Sequence, residues 1–469
     1  MTSGRDHAAY LDGPPLTERD AEEQAHGICF KTGPPGRVGV ELEWLVKDGH
    51  DPALPVDQQR VAAALARLDV PGALPGEGRL TTEPGGQVEL SSAPAPGLGG
   101  CVSAAANDLS VLRGALRPVG LRLVGQGMDP IRPPRRVLNK PRYVAMEQFF
   151  DRGGPWGRIM MCSTASVQVC VDAGTEGPGP AGYRWRWHLV HAIGPVLVAA
   201  FANSPLRVGS PTGWKSTRQA IWSRIDPSRT RAPANAEPSA GGGRGNGWPG
   251  HTDPRSAWVS YALDAEVMCV RQPGAPCWDA PAGLTFRDWL RGAGERRPTA
   301  DDLTYHLSTL FPPVRPQGHL ELRMIDAQAS DGWIVPTAVV SALVDDPDAA
   351  QAAMAAAADL WHGFGPAAGQ RHSPGPSRNG TENLWRRAAR LGPADARLAR
   401  ASRRCFEEAQ AALGRRDAPR AVQDAVSAFA ERYVLRDRCP ADDRLDEARS
   451  PLRQPEHDHD TDMSLEGQP

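Results

Sequence analysis

Lysine is nearly missing from this 469-residue chain: it stands only at positions 31, 47, 140 and 215, and every other basic residue is arginine. That bias is most simply the mark of a GC-rich coding sequence. The eight cysteines (Cys29, Cys101, Cys162, Cys170, Cys269, Cys277, Cys405, Cys439) contain no CxxC pair, so neither a zinc spacing nor a disulfide framework is indicated. The start "MTSGRDHAAYLDGPP" lacks the apolar h-region of a secretory signal, and the expectation is a cytoplasmic protein with reduced thiols. No apolar run suits a membrane span: the longest, "LVHAIGPVLVAAFANSPL", is interrupted by His191, Pro195 and Asn203 and predicts a buried helix. A formal net charge of −2 gives no footprint for nucleic acid or a membrane surface.

Nucleotide signatures are missing as well. "PTGWKST" lacks the Gly-Lys-Ser adjacency of a P-loop, the kinase motif set is absent, and "GNGWPG" has no preceding strand and carries Pro249 where its helix would start. There is no repeat of fixed period.

What the chain does have is 49 glycines and 45 prolines among 40% hydrophobic residues, the composition of a globular core with long irregular connections. An acidic stretch, "LTERDAEEQAHG", reads as helix. "RVGVELEWLV", "GQVELSS", "ASVQVCVDAG" and "GHLELRMID" alternate like strands, whereas "PVDQQRVAAALARL", "AANDLSVLRGAL" and "YRWRWHLVHAIGPVLVAAFANSP" read as helices. Residues 230–256 read as a loop or lid. Strands and helices do not alternate strictly, so the expected class is α+β with a mainly antiparallel sheet. The expected organisation is an N-terminal extension over 1–36, a body over 37–345 and a helical part of the same unit over 346–438. Residues 439–469, highly charged and including "HDHD", are expected to be a disordered tail.

Residues two apart on a strand share a face. That rule groups Glu41 with Glu43, Gln87 with Glu89, Thr164 with Ser166, Gln168 and Cys170, and His319 with Glu321 and Arg323. An isolated Glu-x-Glu favours an ordinary solvent-facing strand. Four strands of this kind instead imply a sheet packed on helices by one face and lining a polar cavity with the other. Converging glutamates suit a hard cation, and Mg²⁺ held by carboxylates usually comes with a nucleotide.

The blocks "VGVELEW", "TTEPGGQVELSSAP", "NKPRYVAM", "MCSTASVQVCVD", "FANSP", "STRQAIW", "DPSRT" and "HLSTLFPPVRPQGHLELRMID" resemble, in order, those of glutamate-cysteine ligases of the plant and actinobacterial type, above all the ergothioneine-pathway branch. The resemblance covers about residues 37–345. It implies a glutamine-synthetase-like fold whose antiparallel sheet curls into a funnel. It also implies an ATP-dependent ligation of the L-glutamate side-chain carboxylate to the amine of L-cysteine through an acyl phosphate, with Mg²⁺ as cofactor. By resemblance Glu41, Glu43, Glu83, Glu89 and Glu321 are the metal ligands, with Glu41, Glu321 and Arg323 catalytic. Arg142, Tyr143, Gln168 and Arg218 bind substrate, and Lys140, Arg229 and Arg323 bind phosphate. Where the family strand commonly reads Gln-x-Asn, this chain has Gln168 and Cys170, which exchanges an amide for a thiol of weak hydrogen-bonding capacity. Trp214, Trp222 and Tyr261 are candidates for the cysteine pocket. Two alternatives stay open: a ligase of the same fold using another amine, and a catalytically dead sensor. The Arg-rich runs "RPPRR" and "WRRAARLGPADARLARASRR" read as solvated helix faces rather than a nucleic-acid surface.

Overall fold

A computed structural model describes residues 13–234, 236–237, 253–362 and 383–450. Its strands are β1 (Arg37–Asp48), β2 (Arg79–Thr82), β3 (Val88–Ser91), β4 (Ala95–Pro96), β5 (Leu121–Val124), β6 (Ser166–Asp172), β7 (Leu206–Arg207), β8 (Ser210–Pro211), β9 (Val314–Pro316) and β10 (His319–Asp326). The main sheet runs β2-β3-β1-β6-β10-β9, with β4 and β5 also pairing to β1. Every pairing among the named strands is antiparallel, in line with the expected α+β class.

Alternation explains the layering. Val38, Val40, Leu42 and Trp44 of β1, Val88 and Leu90 of β3, and Val167, Val169 and Val171 of β6 are all buried in one apolar cluster. Two helices complete that layer. Gly97–Leu116 turns Cys101, Val102, Ala105, Leu109 and Leu112 inward at helical spacing, and Ile334–Asp345 is apolar nearly all round. At the far end of the chain, helices Ala396–Arg415 and Arg420–Arg432 add Phe406 and Phe429 to the same cluster, stacked at 5.6 Å beside Phe201. The described residues among 346–432 therefore share the core of the sheet rather than build their own. The acidic N-terminal helix Glu18–Cys29 starts on a capping box from Thr17 and Asp20, and its Ala21 and Ala25 pack with Val259 and Leu263.

Three expectations need correction. The single buried helix predicted through residues 183–205 is two, Tyr183–Ala192 and Gly194–Ala200, because Pro195 carries no N–H and is accommodated in the first turn of a helix. The expected loop at 230–256 gives way to helix Pro254–Asp264 at its end, and "GNGWPG" lies outside the described residues. The expected disordered tail begins instead with helix Pro440–Arg449. Two of its acids are held by other side chains: Asp443 accepts from Tyr433 Oη at 2.8 Å, Arg432 at 2.7 Å and Arg438 at 2.9 Å, while Asp442 pairs with Lys215. "HDHD" lies outside the described residues. Among the described residues no helix is long and apolar enough to cross a membrane.

Candidate active site on the polar face of the sheet

The face of the sheet away from the Gly97–Leu116 helix carries the chemistry. Glu89 stands opposite Glu43, Glu41 opposite Gln168, Cys170 opposite Glu321, and Glu321 opposite Arg315, so acids cross the sheet from β3 to β10. The β2–β3 hairpin supplies Glu83. Its turn closes through Glu83 N–H to Gln87 O (2.8 Å) and Gly86 N–H to Glu83 O (2.8 Å), with Gly86 at φ +86°. Buried Gln87 anchors that turn by donating to Thr164 O (2.9 Å) and Met161 O (3.2 Å).

The carboxylates are not equivalent. Glu43 accepts from Ser166 N–H (2.8 Å), Ser166 Oγ (2.9 Å) and Gln168 Nε2 (3.1 Å). Glu89 accepts from Thr81 Oγ1 at 2.9 Å. Glu321, fully buried, is gripped by Arg315 through both oxygens (2.7 and 3.0 Å), by Gln317 (2.9 Å) and by Arg323. Burial alone would raise its pKa, but Arg315 and Arg323 outweigh that and hold it at about 2. Glu41 goes the other way, pushed up to about 8 by burial and then by Glu321 and Glu89. Glu83 also reaches about 8 through burial and then Glu89 and Glu43, and Glu89 is raised by burial and Glu43. Cys170 keeps its proton, since burial and then Glu41 and Glu321 lift its thiol well above the ordinary value.

A cavity of about 160 Å³ opens between this face and three helices, Pro141–Asp151, Trp156–Ser163 and Thr217–Trp222. Glu43, Glu83, Arg142, Arg218 and Arg323 give it a polar side, and Met146, Met160, Met161, Trp222 and Phe311 an apolar one. Tyr143, whose phenol is pushed up to about 12 by burial and then Glu83, also faces it. Arg142 comes from helix Pro141–Asp151 and donates to Ser308 Oγ and O, each at 3.0 Å. Arg218 comes from helix Thr217–Trp222, lies over the Trp222 ring at 5.2 Å and donates Nη2 to Arg323 O (2.8 Å). A larger cavity of about 610 Å³ lies elsewhere, around Gly177–Gly179, Trp185 and Met354, and holds none of these groups.

Most of the residues named from sequence thus gather on one face: Glu41, Glu43, Glu83, Glu89, Glu321, Arg323, Gln168, Arg142, Tyr143 and Arg218. Arg229 does not join them. It is fully buried and its guanidinium is taken by Asp226 (2.7 Å), Thr309 O (3.0 Å) and Glu266 O (2.6 Å), which makes it a tie between loops. Lys140 is exposed at the start of the helix bearing Arg142. Of the aromatic candidates only Trp222 lines the cavity; Trp214 neighbours Arg224 and Arg386, and Tyr261 stacks on Trp258. Arg315 was missed, although its place on β9 opposite Glu321 follows from the tight "PQGH" reversal.

The donor chemistry fits a hard cation: Glu41, Glu83 and Glu89 are raised first by burial and then by neighbouring glutamates, and a cation would offset that second effect. No closed cage exists: among the described residues no three His, Cys, Asp or Glu side chains converge to hold a metal ion. Glu321 as it stands is committed to arginines. An ion bound by few carboxylates and completed by phosphate oxygens is the arrangement this set allows.

The description "Glutamate-cysteine ligase family 2" matches residues 37–462. Glutamate–cysteine ligase EgtA of Mycobacterium tuberculosis (strain ATCC 25618 / H37Rv) is 38% identical over 447 residues, covering 94% of this chain and 93% of the relative. The protein of the same name from Mycolicibacterium smegmatis is 39% identical over 440 residues, covering 92% of each. The chloroplastic glutamate–cysteine ligase of Medicago truncatula is 30% identical over 337 residues, covering 66% of this chain and 61% of the relative. The matched span contains every described strand, and the chain belongs to glutamate-cysteine ligase family 2.

Proposed function

We propose that the chain joins the side-chain carboxylate of L-glutamate to the amine of L-cysteine, giving γ-glutamylcysteine, ADP and phosphate, with the dipeptide feeding ergothioneine synthesis in the cytoplasm. The observation that carries this reading is the likeness, at 38% and 39% identity over more than nine-tenths of the chain, to two proteins named glutamate–cysteine ligase. A carboxylate is a poor electrophile. Attack of its oxygen on the terminal phosphorus of ATP expels ADP and forms an acyl phosphate. The cysteine amine then attacks the acyl carbon, phosphate leaves, and the amine loses a proton.

Such a transfer asks the protein for positioning and charge neutralisation rather than covalent help. Arg323, held by Glu321 and Gln168, faces the transferring phosphoryl group. Arg218 and Arg142 receive substrate carboxylates with their planar forks, and Tyr143 and Gln168 complete the substrate wall. Exposed Lys140 contributes positive charge for an incoming nucleotide. Mg²⁺ would be held by one or two carboxylates drawn from Glu41, Glu43, Glu83 and Glu89, and it would supply charge neutralisation on the phosphates. Arg229 has no part in this site.

Purified protein incubated with ATP, Mg²⁺, glutamate and cysteine should yield γ-glutamylcysteine by mass spectrometry, and serine, alanine or ethylamine in place of cysteine should not support comparable turnover. ATP consumption indifferent to the thiol would point to another amine, and nucleotide binding without any acyl transfer to a sensor.

A further inference from the structure

Asp326, at the end of β10, was not among the residues that strand alternation selects. Strict two-residue alternation from Glu321 and Arg323 would bring Ile325 to the polar face and send Asp326 into the helix-packed core. The strand prevents this with a bulge: Leu322 pairs with Val169 and Ile325 with Val167, so β10 advances three residues where β6 advances two. Asp326 thereby returns opposite Ser166 on the polar face.

Its carboxylate is divided between two tasks. Oδ2 accepts from Asn203 N–H (2.9 Å) and Ser204 Oγ (2.7 Å), while Oδ1 accepts from Ser216 Oγ (3.0 Å) and faces Arg218 Nη1 at 3.8 Å. Asp326 and Arg218 are both 2% exposed. Arg218 Nη1 is a buried donor with no hydrogen-bond partner, on a residue that lines the cavity. Gly127 closes the other side, where a Cβ would lie 2.4 Å from Asp326 Cγ.

The geometry points to Asp326 as a positioning residue that sets the Arg218 guanidinium so that its unspent Nη1 donor meets the carboxylate of the incoming amino acid. This rests on the ligase reading above. A buried guanidinium with one oriented counter-charge is preorganised for a second carboxylate, whereas without it the fork must find its own orientation at each binding event.

The test is Asp326→Asn in the full-length protein, with steady-state kinetics for both substrates. The amide oxygen can keep the bonds from Asn203 and Ser204, while the amide nitrogen takes the place of Oδ1, so the variant removes the charge facing Arg218 and the acceptor of the Ser216 bond. The expected result is a KM for glutamate raised about tenfold with the KM for ATP close to wild type, and a lowered melting temperature because Arg218 loses its buried counter-charge. In an Arg218→Lys background the same change should add little, because the two residues act as one unit. Equal rises in both KM values, full additivity with Arg218→Lys, or an unchanged glutamate KM would each overturn the role. Should the Asn variant melt below the assay temperature, Gly127→Ala crowds Asp326 without altering charge and should raise the glutamate KM in the same direction; no rise overturns the role. A wild-type protein that makes no dipeptide overturns the ligase reading and this role with it, while a working wild type with an indifferent Asp326→Asn variant overturns the positioning role alone.

Discussion

Glu41 and Glu321 lie on the same sheet face, yet their surroundings give them opposite properties. Glu321 is ionised and fully enclosed by Arg315, Arg323 and Gln317. Glu321→Gln therefore strands two buried guanidinium groups and is expected to cost about 3–5 kcal/mol of stability, read from urea unfolding, as well as turnover. Glu41 has its ionised form disfavoured by burial and by Glu321. Glu41→Gln is expected to abolish turnover while leaving stability at pH 8 equal to wild type or higher. Equal unfolding midpoints for the two variants at pH 8 would contradict this division between an acid held by arginines and one whose charge is disfavoured. Both glutamates were legible in sequence because alternation exposes them. Their difference was not, since it depends on Arg315 of a neighbouring strand, which only the short "PQGH" reversal sets opposite Glu321.

At the scale of elements, the β2–β3 hairpin places Glu83 beside the cavity. Gly86→Ala would force a side chain into the left-handed region at φ +86° and against the Gln58 side chain, at a cost of about 1–2 kcal/mol. The accompanying expectation is a loss of turnover out of proportion to the small stability change, since the turn aims Glu83; unchanged activity in a destabilised variant would count against that. The strands were readable because each packs only one face against the apolar core and turns polar side chains to the other, so polar and apolar residues alternate. Three features were not. The bulge in β10 leaves no trace in composition and brings Asp326 back to the polar face. The break at Pro195 needs knowledge of which apolar stretch must turn. Helix Pro440–Arg449 looked solvated because the partners of its acids, Lys215, Arg432, Tyr433 and Arg438, are supplied by other segments.

At the scale of the whole molecule, one apolar cluster joins the sheet to helices Ala396–Arg415 and Arg420–Arg432, and the polar face gathers partly buried glutamates. A carboxyl whose pKa is higher in the folded chain than its ordinary 4.5 binds its proton more tightly when folded, so its contribution to stability is lost as pH rises. Glu41 and Glu83, each at about 8, set the window between 4.5 and about 8. Ligand-free protein is thus expected to melt at a higher temperature at pH 6 than at pH 8, with the gap narrowed in Glu41→Gln and Glu83→Gln and by ATP with Mg²⁺ at pH 8; an equal or higher melting point at pH 8 for ligand-free wild type would contradict it. The central claim, that this face activates a carboxylate by phosphorylating it, is tested most directly with glutamate carrying ¹⁸O in both side-chain carboxylate oxygens. Turnover with ATP and cysteine should move one ¹⁸O into inorganic phosphate and leave the other in the new amide. Phosphate free of label, alongside dipeptide formation, would contradict it.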